Sequence, residues 1–208
     1  MYTIKAIPTF YNGIQFRSRL EAKWAAFFDL AGWPYQYEPF DLDGWIPDFL
    51  LGSNVLVEVK PVTKFPEDVA DEIIESCIRS WPKLPDGWPD CEPNRDERDE
   101  CDRYEILILG CRVPIGDNAF DCDIGWLAEG PIRTGDPFWG EATLGDWEGK
   151  VDFCHSLGSY SSRIHGNYDG SFGEGNIVNR KCIEHAWRLA GNTVQWKPPR
   201  SQKHTTTN

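Results

Sequence analysis

The 208 residues are enough for one well-packed domain, and a content of 13% aromatic residues, with ten Trp, excludes a disordered chain. A formal net charge of −12 argues against a general basic nucleic-acid-binding protein. No apolar run approaches a membrane span, and the first ten residues lack the pattern of a signal peptide. We therefore predict an intracellular protein of the cytoplasm, which is the host cytoplasm if the chain is phage-encoded.

Charge and cysteine distribution refine this picture. Fourteen acidic and five basic side chains lie between Glu67 and Glu105, so that segment supplies −9 of the net −12. The first and last thirty residues are not acidic, and any contact with a phosphate backbone is expected there. The seven cysteines are irregularly spaced and form no CxxC pair. They are expected to be free thiols, several of them buried.

The first half of the chain is predicted to begin with a hairpin at Asn12-Gly13. An amphipathic helix follows over 19–31, with Ser18 as its N-cap and Gly32 as its stop. The next predicted elements are an extended segment at 34–40, strands at 44–51 and 54–62, a helix at 66–81 and a buried strand at 104–113. This order favours a mixed α/β sheet.

The second half gives weaker signals. Trp- and Gly-rich segments after Pro114 indicate short strands and turns, and a helix is expected over 177–190, capped by Asn176 and ended by Gly191. We predict a core at 1–113 with an acidic loop insertion at about 82–103. An elaboration of short strands and a helix at 114–197 and a disordered tail at 198–208 complete the predicted organisation.

Charged residues interrupt the two strands at 44–51 and 54–62. Glu58 and Lys60 share one face of their strand, because side chains alternate along a strand. Asp48 is a lone carboxylate in the preceding apolar run, and a turn at Gly52-Ser53 would bring it close to Glu58. Two adjacent carboxylates repel unless a cation lies between them, and hard oxygen ligands suit Mg²⁺ or Mn²⁺. The pattern favours a metal site for phosphodiester cleavage, with Lys60 beside the attacking water.

Pro47-Asp48, nine residues and then Glu58-Val59-Lys60 resemble the motif of the PD-(D/E)xK nuclease superfamily, and the segment from Phe16 to Pro39 resembles phage-type and resolvase-like members. The resemblance covers roughly residues 16–113. It implies an α/β restriction-endonuclease-like core, an α-β-β-β-α-β mixed sheet, here with a Trp-rich C-terminal elaboration.

The resemblance also implies residue roles. Asp48 and Glu58 would bind Mg²⁺ or Mn²⁺, Glu21 would be the third carboxylate, and the carbonyl of Val59 a further ligand. Lys60 would assist the water. The implied activity is a deoxyribonuclease, an endonuclease rather than an exonuclease, in phage recombination, replication or host-DNA processing. DNA is the expected partner, no membrane is expected, and a homodimer is left open.

Each assignment has an alternative. Ser18 and Glu21 fit a capping box, in which Glu21 caps its own helix. Glu58 and Lys60 fit a solvated ion pair, and Asp48 fits the edge of a turn. A catalytically inactive nuclease-fold protein that binds nucleic acid or a host protein, as an acidic DNA mimic, is the alternative function.

Further candidates lie outside the motif. The basic residues expected to meet phosphates are Arg17, Arg19, Lys23 and Lys64, with solvated helix charges as the alternative. Tyr37 fits base stacking or core packing. Five soft or imidazole side chains suggest a structural Zn²⁺ site, although their spacing matches no standard finger: Cys154, His155, His165, Cys182 and His185.

Overall fold

A computed structural model describes residues 6–52, 54–80, 104–116, 122–129, 132, 135, 137–147, 149–156, 163–165 and 176–195. The predicted acidic insertion at 82–103 and the predicted tail at 198–208 lie outside the described residues, as do Cys91 and Cys101. None of the described helices is both long and apolar enough to cross a membrane.

The N-terminal elements follow the sequence pattern closely. Strands β1 (Thr9–Tyr11) and β2 (Ile14–Phe16) form an antiparallel hairpin, and Asn12 and Gly13 at its turn have positive φ angles of 46° and 84°. Helix α1 (Arg19–Ala31) begins after Ser18, whose side chain accepts from the N–H of Glu21, and ends at the left-handed Gly32. The predicted bounds and caps of this helix are confirmed.

The central strands occur in the predicted order but are shorter than predicted, and the expected strand at 44–51 begins only at Phe49, after a turn and the bridge between Leu42 and Trp45. They are β3 (Tyr35–Tyr37), β4 (Phe49–Leu51), β5 (Val55–Val59) and β6 (Glu105–Leu109), with helix α2 (Glu67–Ser80) between β5 and β6. β4 pairs antiparallel with both β3 and β5, and β5 pairs parallel with β6. The parallel pair requires a crossover, which α2 helps to supply. A mixed α/β sheet is therefore confirmed.

Residues beyond Pro114 extend the same sheet. Strands β7 (Asp123–Glu129), β8 (Phe138–Trp147), β9 (Lys150–His155) and β10 (Asn176–Ile177) continue from β6 in antiparallel pairs. Helix α3 (Arg180–Thr193) is capped by Asn179, so the predicted bounds of 177–190 and the cap at Asn176 are wrong. Asn176 and Ile177 pair with β8 instead, which delays the start of the helix.

Gly191 does not end α3, as predicted, but lies inside it. A Cβ atom at this position would come within 3.1 Å of Cε of Lys23 on α1. The glycine is used for the close approach of a neighbouring side chain, and this tertiary contact outweighs its poor helix propensity.

The sheet has apolar packing on both faces, because alternate strand residues point to opposite sides. One face, with Phe49, Val57 and Leu107, packs against α1 and α3. The other, with Leu56 and Ile108, packs against α2. This three-layer arrangement buries β4, β5 and β6 along their whole length and leaves polar side chains to collect where these strands end.

Candidate active site

Asp48 and Glu58 lie side by side at one end of the β4–β5 pair. Phe49 is the partner of Val57 in the antiparallel register, so Asp48, one residue earlier, stands next to Glu58. Both carboxylates are buried, and the N–H of Val59 donates to Oδ2 of Asp48 at 2.7 Å. The strands that the sequence predicted therefore bring these two acids together.

The electrostatics of Asp48 reflect this proximity. Burial raises the pKa of Asp48 to about 7, with further upward contributions from the charges of Glu58 and Glu21. The Val59 N–H and the Arg17 guanidinium act in the opposite direction. Like charges that share a buried site disfavour ionisation, and a cation beside them removes that penalty.

Glu58 has one partner on each oxygen. The indole N–H of Trp45 donates to Oε2 at 2.6 Å, and Nζ of Lys60 lies 2.5 Å from Oε1. The Lys60 side chain is 38% exposed, whereas Glu58 and Trp45 are buried. The ammonium therefore covers the carboxylate from the solvent side, and the indole holds it from the protein interior.

Glu21 reaches the same region from α1. Its Oε2 accepts from the hydroxyl of Tyr37 at 2.6 Å and from the backbone N–H of Arg17 at 3.2 Å. Burial and the hydrogen bond to Glu21 both raise the pKa of Tyr37, so the hydroxyl remains a donor. As the predicted capping box requires, the side chain of Ser18 accepts from the N–H of Glu21. The Glu21 carboxylate, however, accepts from the Tyr37 hydroxyl and the Arg17 N–H.

Arg17 joins the separate carboxylates. One guanidinium nitrogen lies 2.5 Å from Oδ1 of Asp48, Nε lies 2.8 Å from Oε1 of Glu38, and Nε is 4.0 Å from Oε2 of Glu21. Burial acts to lower the pKa of Arg17, but the charges of Asp48 and Glu38 outweigh it and raise the pKa. Arg17 was predicted to contact phosphate, whereas here its partners are carboxylates of the chain itself.

Two site residues, Trp45 and Glu38, and one contact, between Tyr37 and Glu21, were missed at the sequence level. Trp45 lies three residues before Asp48, but the direction of its N–H depends on the bridge between Leu42 and Trp45. Glu38 has a positive φ of 45° and its N–H donates to the carbonyl of Asp48. The bond between Tyr37 and Glu21 follows from β3 lying beside β4, which spacing alone does not reveal.

The other predicted phosphate contacts are placed differently. Arg19 and Lys64 are exposed. Lys23 is half-buried with Nζ 3.6 Å from the ring centre of Trp187 on α3, and burial lowers its pKa to about 8. The face of an aromatic ring attracts a cation, which favours the charged form. Lys23 thus has a packing role at the α1–α3 contact, and its contact with phosphate stays a prediction.

The five predicted zinc ligands are not brought together. His155 is buried, with Nε2 3.3 Å from the carbonyl of Phe138, while Cys182 is exposed on α3. His185 contacts Arg188, and His165 uses its backbone N–H to bond Asp152. No disulfide joins any two of the five cysteines within the described ranges: Cys77, Cys111, Cys122, Cys154 and Cys182.

Among the described residues, no three His, Cys, Asp or Glu side chains are arranged as a metal-binding group. At this site the partners of Asp48 and Glu58 are Arg17, Lys60, Trp45 and the Val59 N–H. No protein-family model, curated protein or solved structure matches the chain. We therefore infer function from the side chains of the site itself.

The donor chemistry nevertheless fits a hard divalent cation. Four carboxylates, of Glu21, Glu38, Asp48 and Glu58, face two cationic side chains, of Arg17 and Lys60. In ionised form the group keeps two negative charges, which one Mg²⁺ or Mn²⁺ would balance. All the candidate ligands are oxygen atoms, as these ions require.

Proposed function

We propose that the chain is a metal-dependent nuclease of the PD-(D/E)xK type that hydrolyses phosphodiester bonds in DNA, as an endonuclease. The observation that carries the proposal is the meeting of Asp48, Glu58 and Lys60 at the end of β5, with Glu21 close enough to raise the pKa of Asp48. The α-β-β-β-α-β order of elements from α1 to β6 supports it, because the resemblance of the sequence to PD-(D/E)xK nucleases implies this order.

Asp48 and Glu58, with Glu21 and the carbonyl of Val59, would hold Mg²⁺ or Mn²⁺. The bound ion supplies a water of lowered pKa and offsets charge on the phosphate. Lys60 keeps a half-exposed ammonium beside Glu58, where it can orient the water or contact a phosphate oxygen. The N–H groups of Trp45 and Val59 fix the two carboxylates, so that little reorganisation is needed during the reaction.

Cleavage of a substrate panel tests the proposal. Linear duplex, single strand, flap, four-way junction, plasmid and RNA are incubated with wild type and Lys60→Ala in Mg²⁺, Mn²⁺ or EDTA. We expect cutting of at least one DNA only with metal, and a loss of at least about 100-fold in Lys60→Ala. Lys150→Ala is the matched control, because Lys150 is an exposed lysine of β9. Equal cutting by wild type and Lys60→Ala would refute the assigned centre.

A second candidate is an inactive nuclease-fold protein that binds nucleic acid or a host protein. It is favoured by the closed state of the site, where the oxygens of Asp48 and Glu58 bond to groups of the chain itself. Its expected result is the absence of metal-dependent cutting on every substrate, together with tight binding to a partner. Wild-type cutting that Lys60→Ala removes would exclude it.

A further inference from the structure

Arg17 is the cation of the candidate site that lies within 4.0 Å of three carboxylates, those of Asp48, Glu38 and Glu21. Its guanidinium contacts Asp48 and Glu38, and its backbone N–H donates to Glu21 at 3.2 Å and to the hydroxyl of Tyr37 at 3.1 Å. The backbone is thus fixed at the site by bonds that do not involve the side chain. The side chain itself is 54% exposed, so water can solvate it if it leaves Asp48.

We propose that Arg17 is an internal counter-ion that a divalent cation must displace from Asp48 before the site is complete. The inference rests on the proposed nuclease function. It assigns to Arg17 a positioning role, holding the carboxylates together in the metal-free protein.

The contacts of Arg17 explain why a divalent ion can replace its guanidinium at Asp48. Arg17 and Lys60 are each singly charged and each directly neutralises one buried acid, Asp48 and Glu58 respectively. A divalent ion between the two acids would interact with both. Glu38, whose side chain is 35% exposed, gives the guanidinium a second partner 2.8 Å from Nε. Arg17 can therefore release Asp48 and remain paired at the edge of the site, where it can meet a phosphate.

The guanidinium of Arg17 is paired with Oδ1 of Asp48, one of the carboxylates that would hold the ion. Because both are positively charged, Arg17 and a divalent ion would compete for this carboxylate. Binding of the ion therefore requires the guanidinium to move to another partner.

Direct measurement of Mn²⁺ affinity by calorimetry tests the proposal without reference to cleavage. Arg17→Gln is expected to bind Mn²⁺ at least about 10-fold more tightly than wild type, because the competing charge is gone. Arg17→Lys retains a charge but cannot bridge Asp48 and Glu38, and is expected to lie between the two. Arg19→Gln is the matched control, since Arg19 is exposed on the first turn of α1. Its affinity should equal that of wild type.

Thermal melting in EDTA and in Mn²⁺ supplies a second readout. Arg17→Gln leaves the buried carboxylates without their counter-ion, so it should melt below wild type in EDTA and gain more from Mn²⁺. A variant that merely damaged the fold would bind the ion more weakly, not more strongly. If Arg17→Gln fails to fold in EDTA, Arg17→Lys gives the same comparison.

The outcomes separate this inference from the proposed function. Mn²⁺ binding by wild type with equal or weaker binding by both Arg17 variants would overturn the counter-ion role and leave the nuclease proposal intact. Failure of wild type and every folded variant to bind Mn²⁺ at millimolar concentration would overturn both. Tighter binding by Arg17→Gln, with an unchanged Arg19→Gln, is the result that supports the role.

Discussion

Two groups of buried charges lie at opposite ends of the parallel strands β5 and β6. The first is the candidate active site, beside Glu58 near the end of β5, and the second surrounds Glu105 at the start of β6. In the first group the cations are partly exposed, 54% for Arg17 and 38% for Lys60. In the second, the side chain of Arg163 is 0% exposed. We infer that the partly exposed cations of the first group can be replaced by another cation, whereas the buried Arg163 stabilises the fold.

The second group shows how a fixed charge cluster is built. Nε of Arg163 donates to Glu105 at 2.6 Å, and a second guanidinium nitrogen lies 3.5 Å from Glu129. Asp152 accepts the backbone N–H groups of residues 163–165 at 3.0, 3.0 and 2.7 Å. Backbone donors cannot rotate away as side chains do, so Asp152 holds this segment against β9. We assign the cluster a structural role.

The largest expected effect comes from breaking the structural cluster. Arg163→Met leaves Glu105 buried without its charge partner, and we expect it to lower the free energy of unfolding by about 3–5 kcal/mol. Lys60→Met breaks the corresponding pair in the candidate site. It should cost about 1 kcal/mol or less, because water reaches Glu58 where the half-exposed lysine stood.

Urea unfolding in EDTA measures both variants under the same conditions. The double variant Arg163→Met with Glu105→Gln should recover part of the loss, since the uncompensated charge has been removed. Equal costs for Arg163→Met and Lys60→Met would contradict the distinction between fixed and exchangeable charges.

Two buried tryptophans provide a second comparison, for which we expect smaller losses of stability. The indole of Trp45 donates to Glu58, whereas that of Trp33 donates to the carbonyl of Val151 at 2.8 Å. Replacing either by Phe leaves a buried acceptor short of one donor, and should cost about 1–3 kcal/mol of stability. Only Trp45→Phe loosens a candidate metal ligand, so it alone should also weaken Mn²⁺ binding, by about 10-fold or more.

Calorimetry and urea unfolding on the two Trp→Phe variants check this expectation, with wild type as the reference. Comparable losses of stability with a loss of Mn²⁺ affinity confined to Trp45→Phe would support a role in ligand orientation. Unchanged affinity in Trp45→Phe, or an equal change in both variants, would mean that Trp45 only packs.

The two regions also differ in how far the sequence reveals them. Asp48 directly precedes β4, Glu58 lies in β5 and Lys60 directly follows it. Because these strands are consecutive in the chain, side-chain alternation and one turn suffice to place the three residues. Arg163 meets Glu105 across 58 positions of sequence, and this contact depends on β7–β9 joining the sheet. No local pattern around Arg163 predicts such a partner.

Non-local contacts also explain the partners of Arg17 that the sequence did not predict and the error in the end of helix α3. Arg17 has basic neighbours in sequence, which favoured a phosphate contact, but β3 and β4 bring Glu38 and Asp48 to it. Gly191 has the usual signature of a helix stop, yet Lys23 packs against it from another helix. Local signals predicted the elements well, whereas side-chain partners depended on how the layers meet.

The smallest expected effect is a dependence on pH of the stability difference between Arg163→Met and wild type, which we attribute to Glu105. Burial raises the pKa of Glu105 above its ordinary value, and Arg163 opposes that rise. Arg163→Met removes the positive charge that lowers the pKa of Glu105, so this pKa should rise further in the folded protein. A raised pKa stabilises the folded state at low pH. This stabilisation is lost as the pH rises through the pKa that Glu105 has in the folded protein.

The deficit of Arg163→Met relative to wild type should therefore be largest at neutral pH and should shrink as the pH falls towards 5. Each unit of additional pKa rise corresponds to about 1.4 kcal/mol of recovered stability. Urea unfolding from pH 7.5 to pH 5 measures the change, and Arg163→Met with Glu105→Gln is the control because it has no carboxyl to titrate. A deficit that stays constant in Arg163→Met, or that shrinks equally in the double variant, would show that Glu105 is not the group responsible.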